Sequence, residues 1–78
     1  MIKWVRWNVI GREEEYGVLH NDETKISKVG RVDKWGTKLY GPPVAVSTRG
    51  MNYQEVETDK VPDMIQESWS RWVRSGGR

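Results

Sequence analysis

The apolar residues of this chain form an unusual set, and they constrain its fold more than any other feature. The sequence contains ten Val, four Ile and five Trp, but only two Leu, one Ala and no Phe. Helical domains depend on Ala and Leu, whereas β-branched and aromatic side chains suit the pleated surface of a sheet. The composition therefore excludes a helical bundle or coiled coil and predicts a mainly β (α+β) fold.

The length bounds the architecture further. A chain of 78 residues is expected to form one domain, residues 1–78, that buries about 63% of the surface of the unfolded chain. Leu, Ile, Val and Phe together make only 16 residues, near the level at which disorder is expected, but the eight aromatic side chains favour a folded chain in which most of the Trp are buried. With no cysteine, the chain has neither disulfides nor the thiolate ligands of structural zinc or iron–sulfur sites.

Alternation and turn residues predict a β-rich region over residues 2–57. Asp33-Lys34-Trp35-Gly36 has the composition of a type I turn inside a hairpin, and Gly41-Pro42-Pro43 is expected to interrupt strand pairing. A second hairpin is predicted around Arg49–Asn52. The extended segments that this reading predicts are 2–10, 15–19, 25–32, 37–40, 44–48 and 53–57.

The last element is predicted to be a helix over about residues 61–75. Pro62 suits its first turn, Glu67 and Arg71 form an i,i+4 pair, and Gly76 is a natural stop. Its apolar stripe consists of Val61, Met64, Ile65, Trp69, Trp72 and Val73. The whole pattern predicts a small five-stranded SH3-like or OB-like barrel, or a strongly bent antiparallel sheet, closed by one C-terminal helix.

The predicted hairpin over residues 25–40 carries the sharpest candidate for a binding site. If its turn is Asp33–Gly36, Arg31 lies opposite Lys38, and like charges opposed across strands destabilise a sheet. A basic face with interleaved aromatics is typical of sheets that bind a phosphate backbone, although a solvated lysine face also protects a sheet edge. The predicted nucleic-acid-binding residues are Lys25, Lys28, Arg31, Lys34, Trp35, Lys38 and Tyr40.

Two further charged clusters are candidates for partner contacts. Arg71 and Arg74, with Arg78 beyond them, could bind phosphates or an acidic protein, but a helix dipole also favours arginines in the last turn. The acidic cluster is expected to be a solvated hairpin tip rather than a metal site, because it lacks EF-hand spacing. It consists of Glu13, Glu14, Glu15, Asp22 and Glu23.

Catalysis is not indicated. The single histidine, His20, lies near Asp22 in a segment of turn composition, and no nucleophile motif accompanies it. We therefore expect a protein that is not an enzyme and needs no cofactor or metal.

The five tryptophans are expected to divide into three roles. Trp69 and Trp72 lie on the apolar stripe of the helix and should anchor it to the core. Trp4 and Trp7 point to opposite faces of one strand, so at least one of them is expected to be partly exposed. Trp35, at the turn, is expected to be exposed as well, and an exposed Trp is a frequent hot spot for protein binding.

The stretch Ile26-Ser27-Lys28-Val29, the glycine-punctuated strands after it and the ending Val56–Ile65 with Pro62 resemble the small archaeal chromatin proteins. The resemblance implies an SH3-like barrel that lays a triple-stranded sheet on the DNA minor groove and ends in a helix. It covers about half of the chain and needs gaps. The low net charge of +2, the Gly41-Pro42-Pro43 break and the Trp-rich helix depart from that pattern, so the resemblance supports the barrel more than the function.

Two functions of different classes follow from these observations. The first is a non-enzymatic module that binds DNA or RNA through the basic hairpin face. The second is an accessory protein of the kind that phages and mobile elements encode, which binds and inhibits a host protein through segregated charge patches and exposed Trp. A structural subunit that dimerises through an edge strand is a third, so a monomer and a homodimer both remain open.

A membrane role is not expected. No apolar run approaches the length of a membrane span, and the first residues are too densely charged for a signal peptide. The expected location is the cytoplasm of a cell or of a host cell.

Overall fold

The computed structural model describes residues 2–8 and 13–77, which form five strands, one short 3-10 turn and one helix. Val9, Ile10, the predicted turn residues Gly11 and Arg12, and Arg78 lie outside the described residues. The elements are β1 (Trp4–Asn8), β2 (Glu14–Leu19), β3 (Lys25–Val32), β4 (Lys38–Ser47), β5 (Gln54–Val56), the 3-10 turn Thr58–Lys60 and α1 (Asp63–Arg74).

All five strands belong to one antiparallel sheet with the order β4-β3-β2-β1-β5. The structure thus confirms the mainly β fold with a single C-terminal helix. Within the described ranges β4 and β5 form the two edges of the sheet, and the chain between them crosses from one edge to the other. No helix in residues 2–8 and 13–77 is long and apolar enough to cross a membrane.

The centre of the sheet is buried on both faces. For this reason β1, whose side chains alternate between the faces, can place two tryptophans in the core. On the face that α1 covers, the helix face, Trp4 meets Trp69 edge-on with ring centroids 6.4 Å apart. On the opposite face, Trp7 belongs to a second cluster that Met51 and Tyr53 cover. Trp4 is 4% exposed and Trp7 is 8% exposed. The expectation that one of them is partly exposed is therefore wrong.

Strand β4 continues through Gly41-Pro42-Pro43, where the sequence predicted a break. Prolines are tolerated here because β4 is an edge strand and because the register with β3 shifts beside them, between the pairs Gly30–Tyr40 and Lys28–Val44. The predicted second hairpin is also wrong. Val44–Ser47 pairs with β3, whereas β5 pairs with β1 at the far side of the sheet.

The hairpin of β3 and β4 has its turn where the sequence predicted, but its register differs by one residue. Gly36 has a φ of +83° and its N–H donates to the Asp33 carbonyl, while the N–H of Asp33 donates to the Thr37 carbonyl. The left-handed glycine adds a third residue to the loop, as in a turn followed by a G1 bulge. Val32 therefore lies opposite Lys38 instead of Thr37, and a one-residue slip moves every side chain of a strand to the other face.

Helix α1 crosses β3 and β4 on the helix face. Its first turn follows Pro62. Ile65 is fully buried against Gly30, where an added Cβ would lie 3.0 Å from the Ile65 Cγ1. The predicted stop is confirmed, because Gly76 has a φ of +77° and its N–H donates to the Val73 carbonyl. The 12-residue helix is shorter than the predicted 61–75.

Candidate functional site

The end of the β3–β4 hairpin holds Trp35 out of the protein on an ordered turn. One carboxylate oxygen of Asp33 accepts hydrogen bonds from the N–H groups of Trp35, at 2.9 Å, and Thr37, at 2.8 Å. The indole is 78% exposed, and the Nζ of Lys34 lies 4.6 Å from the centroid of its ring. The turn thus holds an exposed aromatic side chain with a cation over its face.

The predicted basic face does not exist as one surface, because the observed register divides its residues between the two faces of the sheet. Directly opposed residues share a face. Arg31 is opposite Leu39 rather than Lys38, which corrects the predicted contact between like charges. Arg31 and Lys28 lie on the opposite face, while Lys25, Lys38 and Tyr40 lie on the helix face. Lys25 and Lys38 are at the two ends of the ladder, roughly 23 Å apart at 3.3 Å per residue.

Two of the seven predicted nucleic-acid-binding residues have acidic partners. The Nζ of Lys28 lies 2.6 Å from Oε1 of Glu15, a charge contact without the alignment of a hydrogen bond. An Nη of Arg31 lies 3.5 Å from Oε1 of Glu13. Neighbouring carboxylates cancel part of the potential that these cations would offer to phosphate. The positive charge that projects from the hairpin end comes from Lys34 and Lys38.

The predicted acidic patch is also dispersed. Glu13 and Glu15 are next to the basic side chains of the opposite face, and Glu15 is only 5% exposed rather than solvated. Glu14 lies 3.6 Å from Arg6, a separate ion pair. Asp22 and Glu23 are at the β2–β3 turn, at the other end of those strands. The acidic residues therefore form several ion pairs and one turn rather than a single surface.

The titration of two groups reflects their local contacts. The backbone N–H and hydroxyl of Thr24 donate to the Asp22 carboxylate, and these bonds lower the pKa of Asp22. Burial, reinforced by the charge of Glu14, raises the pKa of Tyr16 above its ordinary value of 10.0.

His20 contacts a serine of the neighbouring strand. Its Nε2 lies 2.8 Å from the hydroxyl oxygen of Ser27, and this hydrogen bond joins the end of β2 to β3. In the part of the chain that the structure describes, no three acidic, histidine or cysteine side chains are grouped as a metal ion would require.

One residue of the second predicted basic cluster, Arg71, lines a groove between β4 and α1. Tyr40, Gly41 and Pro42 form one wall of this groove, which measures about 300 Å³. The other wall is the side of the helix that carries Ser68, Arg71, Trp72 and Ser75. Arg71 also donates to Oε1 of Glu67 at 2.7 Å, the predicted i,i+4 pair, and Arg74 is exposed one turn later.

Sequence reasoning missed several exposed apolar side chains near the hairpin and the groove. Leu39 and Val44 are exposed on β4, and Met64, which the helical stripe placed in the core, is half exposed beside Tyr40. The periodicity of the helix identified the apolar stripe, but not how much of its width the sheet covers. The available signal for this exposure was the pair of prolines in β4, because prolines favour an edge strand.

Comparison of the chain with protein-family models, with curated proteins and with solved structures finds no match. The resemblance to archaeal chromatin proteins therefore depends on the quoted residues alone, and function must be argued from the geometry.

Proposed function

We propose that this chain is a non-catalytic protein-binding module that docks through the end of the β3–β4 hairpin. We call this region the tip surface; it consists of Lys34, Trp35 and Lys38. The observation that carries the proposal is the exposed indole of Trp35, fixed by the Asp33 hydrogen bonds and bordered by cations. Exposed Trp on a preorganised turn is the residue type that most often dominates protein interfaces.

The magnitude of the Trp35 contact supports a hot spot. An aromatic side chain buries roughly 200 Å² when fully covered, so the 78% that is exposed corresponds to about 150 Å². At about 25 cal/mol per Å² this burial is worth about 4 kcal/mol before the costs of association. We therefore expect Trp35→Ala to weaken binding by about 2–3 kcal/mol, or roughly 30- to 150-fold.

The charges of the tip surface indicate the partner. Lys34 and Lys38 are exposed, and Asp33, the nearest acid along the turn, uses its carboxylate to hold the backbone. A partner with acidic groups around an apolar pocket would complement this arrangement, with the charges acting mainly on the rate of association. As part of the same proposal, the complex forms in the cytoplasm and needs no cofactor.

Nucleic-acid binding remains the second candidate, because the cation over the Trp35 ring combines the two elements of base stacking and phosphate contact. The ion pairs of Lys28 and Arg31 reduce this candidate to about two free phosphate contacts at the tip. Its affinity should then fall with salt at a logarithmic slope of only about −2. A titration of labelled duplex and single-stranded DNA and RNA from about 50 mM salt upward tests it, and saturable binding with that slope would favour it.

Capture from a nuclease-treated lysate of the producing or host cells tests the protein-binding proposal. Wild-type chain is expected to retain a stoichiometric protein, Trp35→Ala to lose it, and Lys38→Glu to retain less of it. Ile2→Ala is the matched control, because Ile2 is an exposed apolar residue just before β1, outside the tip surface. If Trp35→Ala captures the same proteins as wild type in the same amounts, the proposal is wrong.

A further inference from the structure

The groove between β4 and α1 has an aromatic and proline lining with a cation at its rim. Tyr40 is 45% exposed, Pro42 is exposed, and Trp72 presents part of its indole from the helix. At the floor, the hydroxyl of Ser68 donates to the Gly41 carbonyl at 3.4 Å and ties the helix to the strand. The groove thus lies between a strand and a helix that contact each other on the helix face.

The end of the helix holds the Trp72 indole in place. The N–H of Gly77 donates to the Trp72 carbonyl at 2.9 Å, which folds the chain back over the ring. A Cβ on Gly77 would overlap three atoms of the Trp72 indole, so only glycine permits this approach. Gly76, in the left-handed region with a φ of +77°, makes the reversal possible. One function of Ser75-Gly76-Gly77 is thus to set the position of an aromatic wall.

The strand that borders the groove disfavours the addition of another β-strand. β4 is an edge strand, yet Pro42 and Pro43 have no N–H to donate to an incoming backbone. A polyproline II segment has no such requirement, because its backbone makes no ladder hydrogen bonds. Aromatic-lined grooves are the surfaces on which such segments dock.

The dimensions agree with one turn of polyproline II. The helical wall from Ser68 to Ser75 spans seven residues, or roughly 10 Å at 1.5 Å per residue. One polyproline II turn of three residues rises about 9.3 Å, which places two prolines at positions i and i+3 on the same side. The groove is therefore long enough for one such turn to lie between the wall of Tyr40 and the wall of Trp72.

The positive charge at the rim of the groove favours acidic residues beside the prolines of a bound segment. Arg71 gives one Nη to Glu67, whose carboxylate offsets part of its charge, and its guanidinium keeps further N–H donors in the plane of the fork. Arg74 is exposed one turn further on and has no acidic partner among the described residues. An acidic residue next to the prolines of a bound segment would meet the remaining donors of Arg71 at the groove, with the exposed charge of Arg74 one turn further along the helix.

From this geometry we infer that the β4–α1 groove binds an extended Pro-x-x-Pro segment flanked by acidic residues. The inference rests on the proposed function as a protein-binding module and names the chemistry of one partner segment. It concerns a different surface from the tip, so the two can fail separately.

Titration of isotope-labelled full-length chain with a synthetic peptide tests the inference. The probe carries one Pro-x-x-Pro turn followed by two glutamates, and the expected dissociation constant is at or below about 1 mM. Amide and indole signals of Tyr40, Gly41, Ser68 and Trp72 should shift, and those of Ile2 should not. A peptide with Ala in place of both prolines, or with Lys in place of both glutamates, should bind at least about tenfold more weakly.

Variants of the chain complete the test. Tyr40→Ala and Arg71→Glu should each weaken binding at least about fivefold. Gly77→Ala should weaken it as well, because the added methyl group displaces the indole without altering β4. Lys60→Glu is the matched control for the charge change, because Lys60 is an exposed lysine on the 3-10 turn. Retained backbone spectra establish that each variant is folded.

Three results would overturn the inference: no shifts at peptide concentrations of several times about 1 mM, equal binding of the Ala-substituted peptide, or shifts outside the groove. If Trp35→Ala abolishes capture while the peptide fails to bind, the groove inference is wrong and the proposed function stands. If the peptide binds and Trp35→Ala changes nothing, the assignment of the tip surface is wrong.

Discussion

The contact between Lys28 and Glu15 decides whether Lys28 is available to bind phosphate, as the nucleic-acid candidate requires. Its removal is therefore the most informative stability experiment. The Glu15 side chain is 7% exposed, and the Lys28 ammonium lies 2.6 Å from its carboxylate. Lys28→Met removes the charge but keeps most of the aliphatic volume. The carboxylate of Glu15 then lacks its closest cation, and the next nearby cation, Arg31, already contacts Glu13 at 3.5 Å.

The expected cost follows from the burial of the two partners. Removing one member of a fully buried ion pair costs about 3–5 kcal/mol. The Lys28 side chain is 37% exposed, and water can partly replace its charge, so we discount that figure to about 1.5–2.5 kcal/mol. A chain of 78 residues has a total stability of roughly 4–12 kcal/mol. At about 4–8 °C per kcal/mol, the melting temperature should fall by roughly 6–20 °C.

Urea unfolding followed by tryptophan fluorescence measures this cost. Lys25→Met is the matched control, because Lys25 is an exposed lysine on the same strand and should change stability by less than about 0.5 kcal/mol. The double variant with Glu15→Gln should recover most of the loss, since the buried charge is removed together with its partner. Equal, small effects of Lys28→Met and Lys25→Met would refute the reasoning and return Lys28 to the set of free cations.

Three further predictions test the fold. Gly30→Ala should cost about 1–3 kcal/mol in urea unfolding, because its Cβ would overlap the backbone carbonyl oxygen of Leu39 and lie 3.0 Å from the Ile65 side chain, whereas Gly41→Ala, with open space at its Cβ, should cost far less. Tyr16→Phe should abolish a loss of stability at high pH: the folded-state pKa of the wild-type phenol is raised, so its contribution is complete below 10.0 and is lost as pH rises through the folded value. A comparison of unfolding midpoints between about pH 9 and 11 checks this, and parallel profiles would contradict it. Asp33→Ala should cost about 1–2 kcal/mol in urea unfolding, because two backbone N–H groups lose their acceptor, and an unchanged midpoint would contradict the described turn.

Much of the fold could be predicted from local sequence signals. The bounds of β3, the exposure of Trp35, the ion pair of Glu67 and Arg71 and the stop at Gly76 all depend on residues close in sequence. Such features follow from turn chemistry, helical spacing and the conformational freedom of glycine. The class of fold followed from composition, which does not depend on which residues meet in space.

The errors came from one ambiguous turn and from interactions between distant parts of the chain. Whether Gly36 closes a two-residue or a three-residue loop decides on which face Lys38 lies, and turn composition does not distinguish the two. The pairing of β5 with β1 and the burial of Trp7 depend on a chain crossing that no local pattern indicates. The groove was missed because it combines an edge strand with one side of a distant helix.

The central claim is that the tip surface binds protein and that Trp35 dominates the contact. Its most direct test is the affinity of the captured partner for wild type and for Trp35→Ala, measured side by side in a nuclease-treated preparation. The account predicts a loss of roughly 30- to 150-fold for Trp35→Ala and no change for Ile2→Ala. Equal affinities of wild type and Trp35→Ala would contradict it.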